Sequence, residues 1–219
     1  MITYEQLRQS PEIRTYITCA DESLCALGFT EHSFAHVTRV AETAAYILES
    51  LGYDAHDIEL AKIAGYLHDI GNLVNRVDHS QSGAVMAFSI LRGMGMAPEE
   101  IAEITTAIGN HDEGTGIPVS DLAAALIIAD KSDVRRSRVR NADEVAVDIH
   151  DRVNYSVTKS SLLVDRESGK LTLELLIDDS VGSLSDYFEI FLDRMLMCRR
   201  AAGKLGLTFS LYINDRAMM

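Results

Sequence analysis

Six histidine and aspartate side chains continue the apolar stripes of five predicted helices, and this feature constrains the fold more than any other. Residues i, i+3 and i+4 of a helix share one face, so these polar side chains point into the same interior as their apolar neighbours. In chain order they are His36, His68, Asp69, His79, His111 and Asp130. Burying an unpartnered imidazole or carboxylate costs several kcal/mol, so packing alone does not account for the set. The sequence therefore predicts a helical bundle into whose core six polar side chains converge.

Metal coordination resolves this conflict, because a neutral imidazole and an ionised carboxylate are both metal ligands. A set of nitrogen and oxygen ligands without a thiolate suits iron, manganese, cobalt or zinc with open coordination positions. It does not suit a closed structural zinc site. The other three histidines, His32, His56 and His150, are interpreted as ordinary hydrogen-bonded core or boundary side chains.

The chain divides near residue 155, where the apolar period changes from helical to alternating. Before this point, caps, prolines and glycines delimit a series of helices. They are predicted over 11–27, 32–51, 54–70, 80–92, 98–108, 120–133 and 143–155. After it, the pattern predicts strands over 161–165, 171–177 and 207–213, with a helix from 184 to 195. We therefore expect a mainly α protein with a helical domain over 1–155 and a small ββαβ unit over 156–219, called here the C-terminal unit.

The net charge of −13 limits the partners that the protein can have. Non-specific binding to nucleic acid or to an anionic membrane requires a basic surface, so neither is an expected partner. No apolar run approaches the roughly 18 residues that a membrane-spanning helix needs, and the N-terminus lacks the apolar stretch of a signal peptide. Cys19, Cys25 and Cys198 form no paired motif. A reduced, cytoplasmic protein is expected.

Three segments, HVTRVA (36–41), LHDIGN (67–72) and IIADKSD (127–133), carry the order His, His-Asp, Asp. This order resembles that of the HD-domain metal-dependent phosphohydrolases over about residues 30 to 140. Two further histidines, in DHSQSGA (78–84) and NHDEGTGIP (110–118), are similar to those of HD subfamilies that hold two or more metal ions. The nearest branches are the HD-GYP cyclic-dinucleotide phosphodiesterases and the HD-type symmetrical diadenosine tetraphosphate hydrolases.

The sequence also departs from both branches. Asn72 stands where HD-GYP domains usually have lysine, Asn110-His111 where they have paired histidines, and Ile117 where they have the tyrosine of the GYP triplet. The C-terminal unit is a departure from the tetraphosphate hydrolases. The resemblance therefore implies the metal site and the reaction class, and leaves the substrate open.

The resemblance implies an HD-type helical bundle that holds two divalent transition metal ions. Iron or manganese is favoured over zinc, cobalt or nickel. Asp69 would bridge the two ions and serve as the catalytic carboxylate. The ligands of one ion would be His36, His68 and Asp130, and those of the other His79 and His111. Such a centre activates water against a phosphoester or phosphoanhydride bond, so the expected substrate is a phosphorylated small molecule, with a nucleotide as the favoured class.

Three basic residues just beyond Asp130, namely Lys131, Arg135 and Arg136, are candidates for binding the phosphate oxygens of this substrate. The alternative interpretation is a solvated basic stretch at a helix end. Two other classes of function remain open at this point. One is a regulatory HD module that binds metal or nucleotide without turnover, and the other is a dinuclear-iron oxygenase.

The predicted sheet of the C-terminal unit has a second face that carries Leu176 and Tyr212 among polar side chains. Its own helix covers only one face of the sheet, so this second face is open together with two edges. We expect it to pack against the helical domain or against a second subunit in a homodimer. The alternative is a solvated unit that only lengthens the chain.

Overall fold

The computed structural model describes residues 2–140 and 148–219, which form nine α-helices and four β-strands. The helices of the first part are α1 (Tyr4–Gln9), α2 (Pro11–Ala26), α3 (Phe34–Leu51), α4 (Ala55–Leu67), α5 (His79–Gly93), α6 (Pro98–Gly109) and α7 (Asp121–Lys131). The remaining elements are α8 (Ile149–Ser156), β1 (Val157–Asp165), β2 (Lys170–Ile177), α9 (Leu184–Lys204), β3 (Thr208–Ile213) and β4 (Arg216–Ala217). The predicted fold class, mainly α with a C-terminal α+β part, is confirmed.

Helix α7 lies at the centre of the molecule. Every side chain from Leu122 to Ala129 is buried, because α3, α4, α6 and α9 all pack against this helix. A helix enclosed in this way needs apolar residues on all sides, and its sequence is apolar all round. Asp130 and Lys131 are therefore carried into the interior at the last turn of a buried helix.

A close helix crossing holds α3 against α4. A Cβ at Gly65 on α4 would lie 2.6 Å from the Cα of Ala41 on α3, so only glycine allows the two backbones to approach this closely. The crossing brings the polar face of α3 close to the end of α4. It is one of the main contacts by which the bundle positions its polar cluster.

The C-terminal unit contains a sheet in the order β1-β2-β3-β4. Strands β1 and β2 are antiparallel, β2 and β3 are parallel and are connected through α9, and β3 and β4 are antiparallel. The residues buried on one face are Leu171, Leu173, Leu175 and Ile177 of β2 and Phe209, Leu211 and Ile213 of β3. Helix α9 packs against β3 and also against α7, so it lies between the sheet and the bundle.

The second face of the sheet is not covered by the helical domain. Leu176 is 50% exposed and Tyr212 is 38% exposed, so the expected packing of this face against the helical domain is wrong. Packing against a second subunit stays a prediction. Strand β1 contacts the bundle instead, since the Ser160 hydroxyl donates to the carbonyl of Ser132. The sheet therefore meets the bundle through one strand and through α9.

Several predicted boundaries are corrected by the structure. The helix predicted over 54–70 ends at Leu67, and a 3-10 turn follows over Ile70–Leu73. Helix α1 and strand β4 were not predicted, because six and two residues are too few for a periodic signal. Of the helix predicted over 143–155, residues 143–147 lie outside the described part, and α8 begins at Ile149. No helix in the described ranges has the length and apolar character needed to cross a bilayer.

Candidate metal centre

Three of the six predicted side chains come from α3 and the end of α4. His36 lies in the first turn of α3, and His68 is the residue at which α4 ends. Asp69 follows and leads into the 3-10 turn, where Asn72 donates its side-chain amide to Asp69 Oδ1 at 3.0 Å. The break in the helix after Leu67 thus lets consecutive residues, His68 and Asp69, both face the interior.

The other three side chains lie at the ends of α5, α6 and α7. His79 is the first residue of α5 and follows Asp78, whose φ of 57° is in the left-handed region. His111 lies two residues beyond the end of α6, and Asp130 lies in the last turn of α7. All four histidines and Asp69 are buried, and Asp130 is largely buried. The structure therefore brings together all six residues that the sequence singled out.

Asp69 stands between two pairs of imidazoles. Its Oδ2 lies 3.4 Å from Nε2 of His36 and 3.2 Å from Nε2 of His68. Its Oδ1 lies 3.4 Å from Nε2 of His79 and 4.0 Å from Nε2 of His111. Each oxygen of this one carboxylate consequently belongs to a different group of potential ligands.

Asp130 completes the first of these groups. Its Oδ1 lies 3.4 Å from Nε2 of His36 and 3.7 Å from Nε2 of His68. Its Oδ2 is 2.7 Å from the ammonium group of Lys131. Lys131 thus holds one oxygen of Asp130 and leaves the other directed at the imidazoles.

The orientation of each imidazole is fixed by its other ring nitrogen. The Nδ1 acceptors are Asp133 Oδ2 for His36 at 2.8 Å, the Gly65 carbonyl for His68 at 2.8 Å, the Arg76 carbonyl for His79 at 3.1 Å and the Ile108 carbonyl for His111 at 2.6 Å. Because these acceptors hold a proton on Nδ1, the neutral form of each imidazole carries its free lone pair on Nε2, on the side of the carboxylates. This is the arrangement in which histidine binds metal ions.

The donor set fits a cation because its inward atoms lack protein partners. Within the described residues, Nε2 of His36 and Nε2 of His68 are buried and have no hydrogen-bond partner. Nε2 of His79 and Nε2 of His111 lie 3.2 Å apart, and a terminal nitrogen of Arg76 lies 3.3 Å from Nε2 of His79. His36, His68 and Asp130 can reach one ion, and so can His68, Asp69 and His111.

The same carboxylates control protonation of the imidazoles when no metal is bound. Burial alone would lower the pKa of His68, but the neighbouring Asp69 and Asp130 carboxylates raise it to about 10. For His111, burial and the positive charge of His68 lower the pKa to about 3. The metal-free cluster therefore holds protons mainly between Asp69 and Asp130, in the place where a cation would be expected.

A cavity of about 380 Å³ opens beside this cluster. Its wall includes Asp69, His79 and Asp130 and four cationic side chains, Arg76, Lys131, Arg138 and Arg194. Further lining residues come from α8, from the segment after α2 and from α9 of the C-terminal unit. The cavity therefore gives a small molecule access to the metal-type ligands.

Of the three basic residues proposed from the sequence to bind phosphate, only Lys131 lines this cavity. Lys131 is buried and lies 3.1 Å from Glu113 as well as 2.7 Å from Asp130. Arg135 pairs with Glu31 and Asp133. The structure thus surrounds both side chains with carboxylates.

Arg136 points elsewhere as well. Its Nε donates to the carbonyl of Tyr155 at 2.6 Å, its terminal nitrogen lies 3.4 Å from Asp178, and its guanidinium stacks on the Tyr155 ring. Neither Arg135 nor Arg136 is brought to the cavity wall next to the cluster.

Sequence reasoning did not identify several residues that support the site. Asp133 holds His36, and Asn72 holds Asp69. Arg138 is buried beside the cavity, where it donates to the carbonyls of Glu31 and Asp133. Asp133 could have been found because it lies one turn after Asp130 on the predicted helix, whereas no local signal pointed to Arg138.

The chain is similar to known proteins in three comparisons. The family model described as HD domain matches residues 33–153, which is more than half of the chain. The uncharacterized protein MJ1020 of Methanocaldococcus jannaschii is 23% identical over 203 residues, which cover 82% of this chain and 77% of that protein. The chain is also similar to a predicted HD superfamily hydrolase from an uncultured Thermotogales bacterium, which is known from a crystal structure. The match has 28% sequence identity and a TM-score of 0.44, and it covers 62% of this chain and 75% of that one.

Proposed function

Because the chain belongs to the HD domain family, in the superfamily of metal-dependent phosphohydrolases, we propose that it hydrolyses a nucleotide-like phosphoester or phosphoanhydride at a two-metal centre. The observation that carries this proposal is the position of Asp69, whose two oxygens approach two separate pairs of imidazoles. A carboxylate with this environment is suited to bridge two cations. A single ion would leave one of the two pairs of imidazoles without a cation.

The ligand assignment follows the two groups around Asp69. His36, His68 and Asp130 would hold one ion with Asp69 Oδ2, and His79 and His111 would hold the other with Asp69 Oδ1. Two divalent ions bound there would supply an activated water and a positive clamp for the phosphoryl group. Asp133 and the carbonyls that accept from Nδ1 keep the imidazoles in the required tautomer.

The charge of the cavity wall supports an anionic substrate. Among the described residues, four aspartates and four cationic side chains line the cavity, so with neutral histidines the wall has no formal net charge. Two divalent ions would make it strongly positive, which favours a ligand with several negative charges. Phe29 is 41% exposed on the same wall and offers an apolar surface for the remainder of such a molecule, as a nucleobase would require.

Two further features concern the cellular compartment and the oligomeric state of the protein. Cys19, Cys25 and Cys198 are all free thiols, which supports a reducing compartment such as the cytoplasm. The open second face of the sheet supports a homodimer. Gel filtration with light scattering measures the dimer directly.

Metal analysis combined with an activity screen tests the proposal. Protein purified without chelators should contain two equivalents of transition metal, and it should hydrolyse members of a panel of nucleotides, dinucleoside polyphosphates and cyclic dinucleotides. Protein that contains no transition metal would refute the metal centre. Full metal content with no turnover of any phosphate ester or anhydride would favour a regulatory module instead.

Two variants separate the roles of the ligands. Asp69→Ala should remove both ions and all activity, because the bridging carboxylate serves both positions. His79→Ala should empty mainly the second position and leave about one equivalent of metal. Two full equivalents in His79→Ala would contradict the proposed division of the ligands.

A further inference from the structure

We propose that Arg194 of α9 binds a phosphate group of the substrate, so that the C-terminal unit completes the active site; this inference rests on the proposed function. Arg194 lines the cavity together with Asp69 and Asp130. It lies outside residues 33–153, to which the HD domain model extends. The anion-binding group would thus come from a part of the chain that the family model does not include.

The guanidinium of Arg194 is held in place by two contacts. Its Nε lies 2.6 Å from Glu113 Oε1, and its central carbon lies 4.5 Å from the centre of the Phe191 ring. Phe191 precedes Arg194 by three residues and so lies on the same face of α9. An arginine fixed at Nε and along one ring face loses little further freedom on binding an anion.

The terminal nitrogens of Arg194 are available to a ligand. Within the described residues neither nitrogen makes a hydrogen bond, the contact with Glu113 is made through Nε, and the side chain is 25% exposed where it lines the cavity. Each terminal nitrogen carries two N–H donors, and one donor from each can bind a phosphate in a bidentate manner.

The other cations of the wall are less available. Lys131 lies between Asp130 and Glu113, so its charge is already compensated by two carboxylates. Arg138 is buried and uses two of its nitrogens on the carbonyls of Glu31 and Asp133. Arg76 directs a terminal nitrogen at Asn72 and at Nε2 of His79. Arg194 lines the same wall and, within the described residues, makes its ion pair through Nε and no hydrogen bond through either terminal nitrogen.

Binding of inorganic phosphate to Arg194→Gln provides the test, with Arg199→Gln on the exposed side of α9 as the matched control. Calorimetric titration of the metal-bound protein should show phosphate affinity about 10- to 100-fold weaker in Arg194→Gln and within twofold of wild type in Arg199→Gln. Arg194→Lys, which keeps the charge without the fork, should be intermediate. Metal content and the unfolding midpoint should not change in any of the three.

Where a substrate is turned over, Arg194→Gln should raise KM more than it lowers kcat. Phosphate affinity within twofold of wild type in Arg194→Gln would overturn the proposal. So would loss of metal in that variant, since Arg194 would then act only by supporting Glu113 and the cluster. Because phosphate binding is measured without turnover, it decides the role of Arg194 even if the protein hydrolyses nothing, an outcome that would refute only the proposed activity.

Discussion

Replacing Gly65 by alanine tests the helix packing on which the polar cluster depends. A Cβ at this position would lie 2.6 Å from the Cα and 2.7 Å from the backbone nitrogen of Ala41. Both are backbone atoms of α3 that no change of rotamer can move away. Alanine at residue 65 can therefore be accommodated only if α3 and α4 separate.

The expected loss of stability follows from two opposing effects. Alanine is favoured over glycine inside a helix by about 1 kcal/mol, whereas overpacking a close contact costs about 1–3 kcal/mol. Because the overlap is with backbone, we expect the upper part of that range and a net loss of about 1–2 kcal/mol in the free energy of unfolding. For a chain of this size, this lowers the thermal midpoint by roughly 2–8 °C.

Gly203→Ala in α9 is the matched control. A Cβ at Gly203 would meet no atom of the described residues within 4 Å, so only the helix propensity changes. Its stability should rise by up to about 1 kcal/mol. Urea unfolding of both variants, monitored by circular dichroism, gives the midpoints. It also shows whether the dependence of the free energy of unfolding on urea concentration is the same as in wild type.

Gly65→Ala should also affect the metal centre. The Gly65 carbonyl accepts from Nδ1 of His68, and His36 lies on the helix that would be displaced. Metal retention should therefore fall in Gly65→Ala and stay at the wild-type level in Gly203→Ala. A midpoint for Gly65→Ala equal to or above that of wild type would refute the argument that the close crossing is required.

Three further experiments address the site and the C-terminal unit. Asp133→Asn removes the charge that accepts from Nδ1 of His36, so metal affinity measured against a chelating dye should fall about 10- to 100-fold; unchanged affinity would contradict this role. In chelated protein, the Asp69 and Asp130 carboxylates raise the pKa of His68 to about 10. The charged imidazole therefore stabilises the folded protein fully below about pH 6.5, and this stabilisation is lost as the pH rises toward 10. Unfolding midpoints of the chelated protein should fall across that range, and rising midpoints would show that His68 does not hold this proton. Truncation after Tyr155 removes α9 from α7, and the fragment should aggregate in light scattering; a monomeric fragment with wild-type metal content would show that α9 is dispensable.

The convergence of the six cluster residues could be predicted from the sequence because polar side chains on apolar stripes have few physical explanations. Their exact places differ from the prediction in an instructive way. His68, predicted inside the helix over 54–70, lies just beyond the end of α4, and His79, predicted just before the helix over 80–92, is the first residue of α5. A residue one or two positions past a helix still lies near the last turn, so the periodicity indicates the correct side even where the helix has ended.

The cations around the site could not be predicted in the same way. Lys131, Arg135 and Arg136 were chosen because they follow Asp130 in the chain. Arg135, however, pairs with Glu31, which lies 104 residues earlier in the sequence. The availability of a charge depends on which carboxylates the fold brings to it, and short-range patterns contain no information about such distant pairs.

Helix α9 shows how the missed arginine could have been found. The sequence indicated one apolar stripe facing the sheet, yet Met195 and Met197 are both fully buried although they are two residues apart. Such a helix is covered on more than one side, which agrees with its position between the sheet and α7. Arg194 lies three residues after Phe191 and four before Cys198, both of which are buried, so it is a charged residue on the buried face. A charge at such a position needs a partner. Once α9 is recognised as a helix between two layers, Arg194 is a polar residue on an apolar stripe, as the six cluster residues are.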